Sequence, residues 1–458
     1  MEKSLHILGV CGTFMGSLAI LARESGFSVS GSDENVYPPM STQLRSSGIK
    51  LYDGYEPSNL EARNEKIIVG NAMKRGQPII EHILDKQYDY TSGPAWLADN
   101  VLSGKWVLAV SGTHGKTTTS SLLAWILEFA NLSPGFLIGG VPLNFGLSAR
   151  LGASDYFIVE ADEYDTAFFD KRSKFVHYHP KTLIINNIEY DHADIFADIE
   201  SIYKQFHHLV RCVPSAGSII IPAEDSGITT VLEKGCWTPV EQFSFGGSSS
   251  GWKAYSVKED GSGFFISDPN GNTAEIEWKI KGKHNVQNAM AAAIAAHHVG
   301  ISLEVIASAI CEFKGVKRRL EFIGNIEGVS IYDDFAHHPT AIASTLETLR
   351  SSYPTRKIFA LIELRSNTMK AGIHGDSLMD SVENADSVYW YERTGEWSEI
   401  QSLDNPSSSS YFYTSVDKIV TDLSKRVSEG DIVVLMSNGD FSDAGASIIA
   451  ALEKGACR

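Results

Sequence analysis

A chain of 458 residues with 43% apolar and 21% charged residues holds enough material for about three domains of roughly 150 residues, and its balance excludes fibrous, collagen-like and low-complexity classes. The net charge of −17 speaks against a general affinity for nucleic acid or for anionic membranes, because both require a positive field; local basic pockets stay open. Five cysteines without a C-x-x-C pair fit reduced thiols, and no run approaches the ~18 apolar residues of a membrane helix, so the expectation is a soluble cytoplasmic protein.

In chain order, residues 5–10 read as a buried strand, a glycine-rich turn follows, and 16–25 carry apolar positions at helical spacing before SVSGSD restarts as a strand. This βαβ opening and its continuation through 66–72 and 93–99 predict a first domain over 1–105. The turn has the spacing G-x-x-G-x-x-x-G at Gly9, Gly12 and Gly16, with Asp33 further on. It misses the G-x-G of the dinucleotide fingerprint, so it suits a nucleotide diphosphate at the helix N-terminus better than a full NAD site. Close helix-to-sheet packing by glycine alone is the competing reading.

A new strand at 106–110 runs into Ser111–Thr119, SGTHGKTTT, and a helix near 117–130. Such a loop points backbone N–H groups at phosphate oxygens; Lys116 adds a positive charge and the Thr117 hydroxyl can ligate Mg²⁺. Val110 stands where the strict P-loop pattern has its first glycine. Two acidic clusters follow at strand ends: Glu160, Asp162, Glu163 and Asp165, then Glu189, Asp191, His192 and Asp194. Beside a phosphate loop these suit hard cations that neutralise charge during phosphoryl transfer, against the blander alternative of solvated acidic loops. Residues 217–281 alternate apolar and polar positions and predict antiparallel strands attached to this second unit, which spans 106–312 and ends in helices at 284–299 and 301–313. A third α/β unit over 313–458 has strands at 328–334, 357–364, 386–392 and 431–438.

GTHGKTT, EADE, NIEYDH, GKHNVQNAMAA (282–292), the arginine pair 318–319 and YDDFAHHPT (332–340), in this order, resemble the Mur ligase family of ATP-dependent amide-forming enzymes. HILGVCGTFMGSLA (6–19), NVYPPMST (35–42), FFDKRSKFVHY (168–178) and LRSNTMK (364–370) resemble its tripeptide-adding branch, so the likeness spans nearly the whole chain. It implies an α/β fold of three domains: a Rossmann-like N-terminal unit, a central P-loop ATPase unit with the added antiparallel strands, and a Rossmann-like C-terminal unit that brings the amine substrate.

By the same resemblance, UDP-N-acetylmuramate is held by Gly9, Gly12, Thr13, Phe14, Met15, Gly16, Ser32 and Asp33. ATP is held by Gly112, Thr113, His114, Gly115, Lys116, Thr117 and Thr118. Asn285 and Asn288 match adenine-binding positions, Arg319 a phosphate-binding one and Asp334 a ribose-binding one, with His337 beside the nucleotide. Thr117 and Glu160 share one Mg²⁺ and His192 ligates a second, which makes Lys116, Glu160 and His192 the catalytic candidates. Arg365, Ser366, Asn367 and Lys370 match the segment that takes the acidic tripeptide L-Ala-γ-D-Glu-meso-diaminopimelate. Three departures from the family pattern stand out: Phe206 and His207 where many members carry a carbamoylated lysine, Leu364 in place of a proline, and the altered run Gly439–Asp443. The implied reaction passes through an acyl phosphate and needs no covalent protein nucleophile. Ligation of free L-alanine, a non-catalytic nucleotide switch and an NAD dehydrogenase are the rivals, and nothing in the sequence specifies the oligomeric state.

Overall fold

The computed structural model describes residues 3–36, 40–60, 66–191, 195–246, 251–365, 375–395, 409–439 and 441–456. Its strands form three large sheets. The first is all parallel, in the order β3-β2-β1-β4-β5, from β1 (Ser4–Leu8), β2 (Ser28–Asp33), β3 (Lys50–Asp53), β4 (Lys66–Val69) and β5 (Tyr90–Ser92). The helix Thr13–Glu24 packs its Leu18, Leu21 and Ala22 face into the core, as its apolar spacing predicts.

The central sheet has ten strands: β6 (Trp106–Ser111), β7 (Gly135–Leu137), β8 (Ala149–Arg150), β9 (Tyr156–Glu160), β12 (Thr182–Ile185), β13 (Ser218–Pro222), β14 (Val240–Phe245), β15 (Trp252–Tyr255), β16 (Gly263–Ser267) and β17 (Thr273–Glu277). Their order is β17-β16-β15-β14-β13-β12-β6-β9-β7-β8. A separate hairpin pairs β10 (Asp165–Ala167) with β11 (Asp170–Ser173). The expected antiparallel block at 217–281 is corrected here. β13 and β14 pair in parallel, as do β14 and β15, and only β15–β16 and β16–β17 are antiparallel. The helix Ser226–Glu233 supplies the crossover that a parallel β13–β14 pair requires, and the unbroken apolar run of β13 suits a strand covered on both faces.

Two helices lie against this sheet and against each other: Lys116–Phe129, which continues the phosphate loop, and the Ala-rich Lys283–His298. Ala289, Ala291–Ala293, Ile294, Ala295 and Ala296 are all fully buried, and the small alanine side chains let the backbones come close. One apolar core runs from the first sheet into the central one, through Leu18, Trp96, Ala149 and Phe157. A buried Ser17–Ser148 hydrogen bond of 2.8 Å crosses the same junction.

The third sheet, ordered β18-β19-β23-β20-β21-β22, contains β18 (Glu321–Ile326), β19 (Val329–Asp334), β20 (Ile358–Glu363), β21 (Ser387–Tyr391), β22 (Ser409–Tyr413) and β23 (Ile432–Met436). All its pairs are parallel except the β18–β19 hairpin at one edge. Helices on both faces make two apolar layers, one around Ile342, Leu346 and Trp390 and one around Ile419, Leu423 and Tyr389. Among the described residues no helix is long and apolar enough to cross a membrane.

Candidate active site

The carboxyl ends of β6, β9 and β12 point at one place, and the loops that leave them build the site. The loop after β6 turns sharply at Gly112 (φ 127°) and Gly115 (φ 79°). Both conformations exclude ordinary side chains, and a Cβ on Gly115 would also press on the Asn288 and Asn186 carboxamides. Neighbouring amides brace the loop. The His114 N–H donates to Asn187 Oδ1 at 2.7 Å, Asn186 Nδ2 donates to Thr119 Oγ1 at 3.1 Å, and Thr119 Oγ1 donates to Asn288 Oδ1 at 3.1 Å. Asn288 in turn donates to Asn285 at 3.0 Å. Asn186 and Asn187 went unnoticed in the sequence, although they begin the NNIEYDH segment at the next strand end.

Lys116 folds back over its own loop. Its Nζ donates to the Gly112 carbonyl at 2.7 Å and to Glu163 Oε2 at 3.0 Å, with Asp162 Oδ1 at 3.8 Å. Burial alone would lower its pKa; Glu163, Asp162 and Glu160 outweigh burial and raise it, so the amine is a fixed cation at neutral pH. The next residue joins two parts of the chain: Thr117 Oγ1 donates to Glu160 Oε1 at 3.0 Å and accepts from the Arg319 guanidinium at 3.0 Å, across 202 residues of sequence. Glu160 also accepts from the Gly139 N–H at 2.7 Å. Its carboxyl is pushed up by burial, against the pull of Gly139, Lys116 and Arg319. A hydroxyl–carboxylate pair, Thr117 buried and Glu160 half-buried, whose negative charge is disfavoured as it stands matches the hard oxygen donors that Mg²⁺ takes, so these residues fit the cation.

A cleft of about 790 Å³ brings together Thr113–Thr118, Glu160, Asn285, Asn288, Arg319, Asp334 and His337. Gly112 shapes its floor without lining it. Asp334 accepts from the Leu320 N–H at 2.6 Å and the Ala336 N–H at 2.7 Å, which fixes the turn carrying Arg319 against the one carrying His337. His192 lies outside the described residues.

Glu189, from the central sheet, meets the third sheet's unit here. Its Oε2 accepts from Thr340 Oγ1 at 2.8 Å and lies 3.3 Å from His114 Nε2 and 4.0 Å from His338 Nδ1. Burial would raise this carboxyl, but His114, Thr340 and His338 outweigh it and pull it down to about 2. Ligand-type atoms of His114, Glu189 and His338 lie within 4.8 Å of one another, with the two imidazole rings 4.9 Å apart between centroids.

His337, half-buried beside the cleft, is held down to about 4, chiefly by its burial, with the Arg319 charge adding to it. Its folded pKa lies below the ordinary histidine value near 6.5. Between those limits the unfolded chain binds protons that the folded chain refuses, so this group subtracts stability as pH falls from about 6.5 to about 4 and subtracts none above 6.5. We expect Tm to fall with acid across that window, with a shallower slope in His337→Gln; an unchanged slope in thermal melts from pH 7 to pH 4 would contradict the assignment.

A second cleft of about 1030 Å³ carries Gly9, Gly12, Thr13, Phe14, Met15 and Asp33 on one wall and Arg365, Asn438 and Gly439 on another. Asp33 closes the glycine turn by accepting from the Cys11 N–H at 2.9 Å. Gly16 and Ser32 sit behind this surface, Ser32 being buried with its Oγ 3.0 Å from His6 Nε2. Ser366, Asn367 and Lys370 lie outside the described residues. The two clefts share Thr13, Glu160, Asp162, Phe335 and Asn438, so they open into each other at the metal-type carboxylates.

Comparison with known proteins bears on this geometry. The chain matches family models described as Mur ligase family, catalytic domain (residues 4–103), Mur ligase middle domain (110–296) and Mur ligase, glutamate ligase domain (318–439). It is 46% identical over 449 residues to a UDP-N-acetylmuramate–L-alanyl-γ-D-glutamyl-meso-2,6-diaminoheptandioate ligase of Haemophilus influenzae, and 48% identical over 452 residues to the Escherichia coli protein of the same name, covering 98% of both chains in each case. The crystal structure of a murein peptide ligase from Psychrobacter arcticus superposes with a TM-score of 0.79 at 46% identity, covering 99% of both chains. Family models along most of the chain and full-length relatives at this identity place the chain in the Mur ligase family.

Proposed function

We propose that this chain is the ATP-dependent ligase that joins the lactyl carboxylate of UDP-N-acetylmuramate to the L-alanine amine of L-Ala-γ-D-Glu-meso-diaminopimelate, a cytoplasmic step that returns peptidoglycan fragments to use. The observation that carries this reading is the pair of clefts meeting at Glu160 and Asp162, one beside the phosphate loop and one beside the glycine turn. A nucleotide in the first and a sugar nucleotide in the second would meet head to head. The full-length relatives named for this reaction support the substrate pair. We assign 1–105 to the sugar nucleotide, 106–312 to ATP and 313–458 to the amine.

In the proposed chemistry a carboxylate oxygen attacks the γ-phosphorus, the β,γ P–O bond breaks and ADP leaves with the electron pair. The amine lone pair then attacks the acyl carbon, the C–O bond to phosphate breaks, and inorganic phosphate departs as the amine loses a proton. The obstacle is charge: two like charges about 4 Å apart repel by about 4 kcal/mol at an effective dielectric of about 20, and the γ-phosphate carries more than one. Lys116 and Arg319 supply fixed positive charge at this place. Thr117 and Glu160, with His192 for a second ion, would hold Mg²⁺, which when bound neutralises phosphate charge and orients the γ-phosphoryl group. The loop N–H groups hold the phosphates, and Arg365 faces the second cleft as a cation for the peptide's carboxylates.

The reading is tested by phosphate release. Release is expected only when ATP, UDP-N-acetylmuramate and the tripeptide are all present; a nucleotide switch would release phosphate without that double dependence, and such a result would sink the proposal.

A further inference from the structure

We infer that Lys174 binds the reacting carboxylate of the sugar nucleotide, an assignment that rests on the ligase reading above. The residue follows the β10–β11 hairpin, in the short helical turn Lys174–His177, and its backbone N–H is held by the Tyr164 carbonyl at 2.9 Å. The residue is 7% exposed, an unusual burial for lysine. The ammonium lies 5.3 Å from the Tyr164 ring centroid and 5.5 Å from that of Phe14, a residue of the glycine turn. Among the described residues its hydrogen-bond acceptor is Asp162 Oδ2, at a long 3.3 Å. An ammonium has three donors, so this contact leaves donor capacity in a buried setting where unmet donors are costly.

Its position defines the ligand. Asp162 stands between two lysines: one oxygen lies 3.8 Å from Lys116 Nζ and the other 3.3 Å from Lys174 Nζ. Lys116 lines the nucleotide cleft and Lys174 the sugar cleft, while Asp162 lines both. The two ammonium groups thus flank the boundary that the γ-phosphate and the attacking carboxylate must approach from opposite sides. Three described cations line the sugar cleft. Arg318 is engaged by Asp333 at 3.2 Å and by the Ser437 carbonyl at 2.8 Å, and Arg365 belongs to the wall formed by the third sheet's unit. Lys174 is the one on the wall shared by the central unit and the glycine turn, where a carboxylate carried by a sugar held at that turn would arrive. Its aromatic neighbours hold the cation in place while offering it no competing anion.

UDP-N-acetylglucosamine differs from UDP-N-acetylmuramate by lacking the lactyl group, so the two sugar nucleotides isolate this contact. Binding of each to the full chain is measured by calorimetry for the wild type, Lys174→Met and Lys174→Arg. The wild type is expected to prefer UDP-N-acetylmuramate by about 10- to 100-fold, the range of a charge-assisted hydrogen bond. In Lys174→Met the preference is expected to fall below about threefold while affinity for UDP-N-acetylglucosamine holds, which also reports an intact site; Lys174→Arg keeps part of it. KM for ATP stays within about twofold. A Lys174→Met protein that retains the full preference, or one that loses both sugar nucleotides equally, overturns the assignment, the second outcome marking Lys174 as a structural anchor. A wild type with no preference would instead overturn the ligase reading itself.

Discussion

Replacing Lys116 with alanine is expected to lower kcat for phosphate release by about 10³-fold or more, while UDP-N-acetylmuramate still binds. The amine is the one side chain that combines a fixed positive charge with a place inside the phosphate loop, and removing such a group withdraws stabilisation where charge moves from the γ-phosphorus to the leaving oxygen. The substitution also removes a cation that stands 3.0 Å from the buried Glu163, so a lower Tm accompanies it. Retained binding in the sugar cleft, which Lys116 does not line, distinguishes lost chemistry from lost fold. Near-normal turnover in Lys116→Ala, measured by released phosphate, would contradict the loop's role.

Glu160→Gln is expected to cost about 10²- to 10³-fold in kcat and to raise by at least about tenfold the Mg²⁺ concentration that gives half-maximal rate. Glutamine matches the carboxylate in shape and keeps an acceptor for either the Gly139 N–H or the Thr117 hydroxyl, so the local fold should survive. What it removes is the negative charge. In the folded chain that charge is half-buried and disfavoured, a cost that makes sense where a divalent cation offsets it. Initial rates over a Mg²⁺ titration test this directly: an unshifted Mg²⁺ requirement would show that Glu160 does not face the ion.

The chemistry-bearing parts of the site were legible because each is local in sequence. A strand, two glycines, a lysine and a threonine followed by a helix describe a phosphate loop without any knowledge of distant residues, and the structure places Lys116 and Thr117 on that helix's first turn. What joins these parts was not legible. Arg319 reaches Thr117 and Thr340 reaches Glu189 only because the third sheet's unit lies over the phosphate loop, and no periodicity encodes that placement. The carboxamides of Asn186 and Asn187 read as ordinary strand-end residues until β12 is seen beside β6.

Lys174 shows the same limit from another side. It stands in a segment that resembles the tripeptide-adding branch, yet a lysine after Arg-Ser reads as a solvated charge until the hairpin folds it against Phe14. Strand direction failed for a different reason. Alternation of apolar and polar residues reports one exposed face, and it cannot tell a parallel pair with a helical crossover from a hairpin when the connection, residues 223–239, carries only an eight-residue helix, Ser226–Glu233. Gly16 and Ser32 were drawn into the sugar site by motif position, and the structure sets them behind it, where they pack the turn against the sheet.

With saturating ATP and UDP-N-acetylmuramate, kcat/KM for L-Ala-γ-D-Glu-meso-diaminopimelate and for L-alanine, measured side by side, decide whether the amine substrate is the acidic tripeptide or a single amino acid. The tripeptide is expected to be favoured by at least about 10²-fold, because Arg365 offers a cation to carboxylates that free alanine does not extend to it. Equal or greater efficiency with L-alanine would contradict it.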